Sequence, residues 1–231
     1  MAAGDVNEAL TDQTVDAVCI GGPAPHRAHL AVEACRAGKD VYIEAPAFLN
    51  IEEGLKLVEA ARQYHRVVQA GTWMRSGTAF QRAREIVGVS GLGEIAFCRT
   101  QGTGEPLLLV DLLQFLFDEA TPISAGAQGS GITYRYPGFL AFYEARRGGN
   151  AWSISIHGTA ATLSANPLGY SVFPGSQRVE HRDDPAVAHW KNFLECVRSR
   201  QRPVSDVETC LRSTTAWLRA ELTMRHTWRA A

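Results

Sequence analysis

Hydrophobic and polar positions change their period along the chain. From residue 16 to about residue 93, short apolar, β-branched runs alternate with longer stretches of helical period, the form taken by βα units around a parallel sheet. DAVCIGG, residues 16–22, reads as a buried strand that stops at a glycine pair. HRAHLAVEACRAG then places Leu30, Ala31, Ala34 and Cys35 on one helical face, with Gly38 as the stop. DVYIEAP, 40–46, is a second strand. Asn50 followed by Glu53 forms a capping-box signal for the helix IEEGLKLVEAARQYH, whose apolar stripe is Ile51, Leu55, Val58 and Ala61. RVVQAGT, 66–72, is a third strand, and TAFQRAREIV is the helix that follows it.

From about residue 94 the pattern changes. EIAFCRTQ reads as a strand and EPLLLVDLLQFLFD as a strongly apolar helix. Period-2 strands follow over 123–175: ISAGAQG, ITYRYP, GFLAFYEARR, AWSISIHG, ATLSANP and GYSVFPG, with Gly or Pro turns between them, as in an antiparallel meander. In AWSISIHG, Trp152, Ile154 and Ile156 share the face that packs on helices, and Ser153, Ser155 and His157 share the other. Two helices close the chain, DPAVAHWKNFLECVRSRQ and SDVETCLRSTTAWLRAELTMRHTW, the second opened by a Ser205 to Glu208 capping box. Trp190, Phe193, Leu194 and Val197, and Leu211, Thr214, Trp217 and Leu218, keep helical spacing and read as core. The expected architecture is α/β: a partial Rossmann-like parallel sheet over 1–93, then an α+β domain with an open, mainly antiparallel sheet over 94–231.

Composition narrows the function classes. The 231 residues carry 23 Lys and Arg against 24 Asp and Glu, a formal charge of -1, so the basic field of non-specific nucleic-acid binding is missing. The five cysteines are scattered, with no CxxC and no Cys/His ligand cluster, and read as reduced thiols. The start MAAGDVNEAL has no secretory pattern, and no run approaches 18 apolar residues; a cytoplasmic protein outside the membrane is expected. His157, His181 and His189 lack the spacing of a metal triad, so no metal is expected, and Ser153 and Ser155 have no His/Asp partners at fixed spacing.

In parallel sheets ligands gather at the carboxyl ends of the strands. That rim holds Gly21, Gly22, Pro23, Glu44, Pro46, Gly71, Thr72, Trp73 and Arg75, although Gly and Pro also simply end strands. Trp73, Arg75 and Gln101 are candidates for a polar and aromatic sugar-binding surface; the alternative is a surface ion pair for Arg75 and a core position for Trp73. Tyr134, Arg135, Tyr136 and Tyr143 suit a subunit interface on the sheet.

GPAPHRAHLAVEACRAGKDVYIEAP, VVQAGTWMRSGTAFQRAREIV, LGEIAFCRTQ, SIHGTAATL and HWKNFLECVRSRQRPVSDVETCLRSTT resemble the glucose-fructose oxidoreductase, inositol dehydrogenase and MocA family (Gfo/Idh/MocA) through nearly the whole chain. The resemblance implies an amino-terminal Rossmann domain for NAD or NADP, a carboxyl-terminal domain with an open antiparallel sheet that packs face to face between subunits, and oxidation or reduction of a sugar, inositol or related substrate.

Four departures follow. The strand at residue 16 resembles a later strand of the family's Rossmann domain. The 15 residues before it are too few for a βαβ unit and contain no GxGxxG turn, and Gly21-Gly22 ends a different strand. The family's Glu-Lys-Pro matches Glu44-Ala45-Pro46, so the proton-donating lysine is replaced by alanine. The family's Asp-x-Gly-x-His segment, aligned through Asp111, places Leu108 at the histidine and Gly104 at the first aspartate. Arg27 matches a position often occupied by histidine near the cofactor, with His26 one residue away.

The sequence therefore predicts a shortened homologue that lacks ordinary NAD(P) binding and hydride transfer and serves as a binding or oligomeric structural protein. No cofactor is expected, and Gly21, Gly22, Pro23, Glu44 and Pro46 form a vestigial rim. Expected partners are further copies of itself, as a homodimer or higher homo-oligomer through the open sheet, and a small carbohydrate ligand. Two alternatives stay open: an active NAD(P)-dependent sugar or polyol oxidoreductase with a nonstandard or partner-completed cofactor site, and a different rim reaction with Glu44 or His26 as acid/base.

Overall fold

A computed structural model describes residues 6–103, 106–118, 120–128, 131–145, 152–175 and 178–227. In chain order the elements are α1 (Val6–Thr11), β1 (Ala17–Ile20), α2 (Ala24–Arg36), β2 (Asp40–Ile43), α3 (Ile51–Gln63), β3 (Val68–Ala70), a 3-10 turn (Trp73–Ser76), α4 (Thr78–Gly88), β4 (Ile95–Gly102) and α5 (Leu107–Leu116). They continue with β5 (Ser124–Gln128), β6 (Gly131–Arg135), β7 (Leu140–Ala145), β8 (Ser153–Gly158), β9 (Thr162–Asn166), β10 (Gly169–Phe173), β11 (Val179–Glu180), α6 (Pro185–Ser199) and α7 (Val207–Thr227). The short elements α1 and β11 and the 3-10 turn are additions to the sequence reading. Of the predicted strings, Glu105, Gly129, Arg146, Arg147, Ala151 and Trp228 lie outside the described residues, as does Gly104.

The chain forms two compact units. One runs up to Trp73 and takes in Trp190–Thr214; the other comprises Met74–His189 and the chain from Thr215. Residue 93 marks the approach to the large sheet, whereas the division into units falls at Trp73 and Met74.

In the first unit β1, β2 and β3 form a parallel sheet in that order, with Val18 opposite Val41 and Ile43 opposite Ala70. All of β2 is buried, as expected of a central parallel strand covered on both faces. Its one charged residue, Asp40, accepts hydrogen bonds from the Val67 amide at 2.8 Å and from Arg200 Nη1 at 2.6 Å. Tyr42 stacks on Trp190 with ring centroids 3.9 Å apart, and its hydroxyl is pushed to a higher pKa by burial. Helix α2 ends as read, with Gly38 in the left-handed region at φ +81.

On α3, Asn50 Oδ1 accepts from the Glu53 amide at 2.9 Å, and Glu53 Oε2 reaches back to the Leu49 amide at 3.0 Å. Its buried stripe is rotated from the predicted one. Gly54, Leu57, Val58 and Ala61 face the core, while Ile51 and Leu55 are exposed. Gly54 sets this face, since a Cβ there would lie 2.7 Å from both Leu211 and Phe48.

The second unit is built on an eight-stranded sheet of order β11-β10-β9-β8-β4-β7-β6-β5. Strand β4 lies between the runs β5–β7 and β8–β11, parallel to β7 and antiparallel to β8, so the predicted meander is split in two. The alternation in β8 falls as read, with Trp152, Ile154 and Ile156 buried. Tyr134, Tyr136 and Tyr143 are also buried, which corrects their reading as interface residues. They lie at 0–3% exposure, and of that group only Arg135 is exposed. The opposite face carries Phe97, Arg99, Gln101, Ser153, Ser155 and His157, by register with the buried Cys98, Thr100, Ile154 and Ile156.

Candidate functional site

The carboxyl ends of β1 and β2 are joined by one side chain. Arg27, in the first turn of α2, donates from Nε and Nη2 to the Gly22 carbonyl at 3.0 and 2.7 Å, and from Nη1 to the carbonyls of Pro46 at 3.1 Å and Glu44 at 3.4 Å. Three carbonyls that end two strands are thereby occupied by a single guanidinium. Gly22 sits at φ +70, and neither it nor Gly21 has an atom within 4 Å of where a Cβ would lie. The turn is open, but it is a poor anion cradle. Pro23 caps the helix without a side-chain bond, Pro25 has no N–H, and the His26 amide is bonded to the Pro23 carbonyl at 3.2 Å.

Glu44 and His26 are the exposed ionisable side chains of this rim, and Pro46 is buried beneath it. Glu44 lies against Gly71, where a Cβ would stand 3.0 Å from Glu44 Oε2. The thiol of exposed Cys19 is raised above its ordinary pKa by partial burial and by the nearby Glu44 charge, so it is a weak nucleophile. Thr72 is buried and its carbonyl accepts from Ser205 Oγ at 3.2 Å; Trp73 is half-buried. Ala45 brings no polar side-chain atom to the rim.

In the second unit, Asp111 lies in the apolar helix α5 at 1% side-chain exposure, paired with Arg75 at 3%. Arg75 Nε donates to Asp111 Oδ2 at 2.8 Å, Arg75 Nη2 donates to the Asp111 carbonyl at 3.2 Å, and the guanidinium lies 5.5 Å from the Phe115 ring centroid. Arg75 is thus an internal cation, which corrects both of its predicted roles, sugar contact and surface ion pair. Leu108, one turn before Asp111, is half-buried and is a hydrocarbon. Gln101 lies on the outer face of the sheet, donating to Glu144 Oε2 at 2.8 Å beside Arg99. Arg75 and Gln101 therefore do not form one sugar surface.

His189 is fully buried, with Nδ1 2.8 Å from Ser76 Oγ, a satisfied core histidine. His157 stacks on Phe97 with centroids 4.7 Å apart. Among the described residues no group of three or more His, Cys, Asp or Glu side chains is arranged to hold a metal ion, and no helix is long and apolar enough to cross a membrane. Sequence reading missed the lacing role of Arg27 and the Arg75–Asp111 pair. Its one available signal was a carboxylate inside an otherwise uncharged helix, which requires a buried partner.

Residues 2–72 match the family profile described as "Oxidoreductase family, NAD-binding Rossmann fold". Among curated proteins, the scyllo-inositol 2-dehydrogenase (NAD(+)) of Bacillus subtilis is 28% identical over 102 residues, covering 42% of this chain and 30% of its own. Inositol 2-dehydrogenase 3 of Saccharopolyspora erythraea is 34% identical over 80 residues, 34% of this chain and 24% of its own. The matched stretches thus span less than a third of these relatives' lengths. Among solved structures, UDP-N-acetylglucosamine 3-dehydrogenase from Acidithiobacillus ferrooxidans aligns with a TM-score of 0.81 at 21% identity, over 97% of this chain and 82% of its own. A probable dehydrogenase from Thermotoga maritima aligns at 0.79 and 17% identity, over 97% and 83%. At these identities the likeness to solved structures is one of fold.

Proposed function

The chain belongs to the Gfo/Idh/MocA oxidoreductase family, and from that premise we propose that it is an oxidoreductase homologue without ordinary NAD(P) binding and hydride transfer, acting as a binding or oligomeric structural protein. The observation that carries this reading is that two of the positions where the family resemblance places an acid or base, Ala45 and Leu108, hold hydrocarbon. Ala45 stands between Glu44 and Pro46, and Leu108 stands a turn before an Asp111 already committed to Arg75. General acid–base catalysis needs a titratable group within hydrogen-bond reach of the reacting oxygen, and neither position has one.

In this reading the rim of the first unit is also poorly suited to a dinucleotide. Two prolines thin the amide donors of the α2 turn, and the rim's exposed carboxylate, Glu44, disfavours a pyrophosphate. In this reading Gly21, Gly22, Pro23, Glu44 and Pro46 are structural remnants. The test is turnover: inositols, aldoses and nucleotide sugars offered with NAD+ and NADP+ should give no substrate-dependent reduction. Reduction that responds to substrate and is lost in Glu44→Gln would overturn the proposal.

A second reading, an active enzyme whose cofactor site is completed by another polypeptide, is favoured by one feature. Among the described residues β1 is an edge strand: Asp16 and Ile20 carbonyls bond toward β2, so the backbone groups of Ala17 and Cys19 point outward. Beside that edge runs a groove of about 460 Å3 lined by uncharged residues, among them Val6, Leu10, Val18 and Leu30. A parallel strand added there would extend the sheet and bring its own phosphate-binding turn to the rim. Dinucleotide-dependent turnover that arises only on adding proteins encoded beside this one supports the second reading; its absence under those conditions counts against it.

A further inference from the structure

We infer that the first unit carries a second site, an oxyanion cleft at the amino-terminal ends of β2 and β3, in which Arg62, Arg66, Arg200 and Arg202 take a compact phosphate-bearing ligand. The cleft has a volume of about 550 Å3 and is lined by the last turn of α3, the connection into β3, the segment after α6 and the first residues of α7. It lies at the opposite ends of the strands from Gly22 and Glu44 and shares no residue with the rim. It is therefore independent of whether that rim ever held a cofactor.

Three of the four guanidiniums are held in place by carboxylates. Arg200 forms a fork on buried Asp40, Nη1 to Oδ2 at 2.6 Å and Nη2 to Oδ1 at 3.0 Å, while Nη2 also donates to the His65 carbonyl at 2.7 Å. Arg62 directs Nε and Nη2 at Glu208 Oε1, at 2.9 and 2.6 Å. Arg202 pairs with Asp206 through Nε and through Nη2, and with Glu208 through Nη2. Side-chain exposures of 69%, 44% and 57% for Arg62, Arg200 and Arg202 leave these cations open to solvent. Arg62 Nη1, Arg200 Nε and Arg202 Nη1 keep donors that no described residue uses.

Arg66 differs from the other three. Its Nε donates to the Tyr64 carbonyl at 2.7 Å and its Nη1 to the Gly38 carbonyl at 2.8 Å, and no carboxylate of the described residues lies within 4 Å. Two neutral carbonyls fix its direction without offsetting its charge. The four cations face three anions, Asp40, Asp206 and Glu208, in a chain whose net charge is -1, and exposed His65 stands at the same wall. A guanidinium fork already aligned gives up little entropy when an oxyanion takes its remaining donors, and planar forks suit phosphate geometry. The carboxylates compete for the same cations, so removing one should raise affinity rather than lower it.

The test titrates inorganic phosphate and pyrophosphate into the intact chain, followed by calorimetry and by the arginine Nε–H resonances. The expected result is saturable one-to-one binding of pyrophosphate that shifts the Arg66 resonance. Arg66→Gln should weaken it about tenfold, the loss of one charge-assisted hydrogen bond. Arg66→Lys should restore part of the affinity, Glu208→Gln should tighten binding, and Arg99→Gln, a residue that does not line the cleft, should leave it unchanged. Absence of saturable binding by the folded wild-type chain, or equal affinity in wild type, Arg66→Gln and Arg62→Gln, would overturn the inference.

Discussion

Asp111 is the one charged residue in LLLVDLLQFL, and burial of a carboxylate is tolerated only with a partner of opposite charge. Arg75 supplies it at 2.8 Å from a position 36 residues earlier. The need for a partner was legible in the sequence, but its identity was not, because nothing local distinguishes an arginine that points inward from one that points to a ligand. Asp111→Ala strands the guanidinium in the interior and should cost about 3–5 kcal/mol. Combining Arg75→Met with Asp111→Leu should recover most of that loss. Urea denaturation checks both, and an unchanged midpoint in Asp111→Ala would show that the pair is not structural. The same pair explains why Arg75 cannot serve a sugar.

At the scale of elements, local signals transferred well where their chemistry is local. Asn50 caps α3, Gly38 ends α2, and Ser/Ile alternation in β8 sorts buried from outward residues. They failed where a distant group intervened. The Ser205 to Glu208 pattern predicts Ser205 as the cap of α7, yet its hydroxyl donates to the Thr72 carbonyl, and Asp206 caps the helix by accepting from the Thr209 amide at 2.8 Å. Trp190 and Leu194 keep helical spacing but are 37% and 47% exposed, since the inner face of α6 is turned to Phe193 and Cys196, at 2% and 5%.

Close approach decides the β8 turn as well. A Cβ on Gly158 would stand 2.0 Å from the Leu92 carbonyl oxygen, a backbone atom that cannot give way cheaply. Gly158→Ala should therefore cost about 1–3 kcal/mol by overpacking. Gly88→Ala, at the open end of α4, should be neutral or stabilise by up to about 1 kcal/mol. Equal denaturation midpoints for the two variants would contradict this assignment.

For the whole molecule, the βα alternation and the later run of strands were enough to predict both sheets. The insertion of β4 between β7 and β8 was not predictable, because turn chemistry reports neighbours in sequence and this pairing joins strands far apart in it. That insertion produces a broad outer face carrying Phe97, Arg99, Gln101, Phe142, Glu144 and His157, with Arg99 and Glu144 paired at 3.0 Å. Its eight strands span roughly 35 by 17 Å, about 600 Å2 in projection, the scale of one side of a stable interface. A second copy of the chain is the proposed occupant. Sedimentation should show a dimer or larger species for the wild type and a shift toward monomer for Phe142→Glu; a monomeric wild type at all concentrations would remove the interface.

We propose that this chain keeps the family's fold without its ordinary NAD(P) binding. Calorimetric titration of NADH and NADPH into the purified chain tests it most directly. The expected result is no saturable heat with either nucleotide, and tight one-to-one binding of either would contradict it.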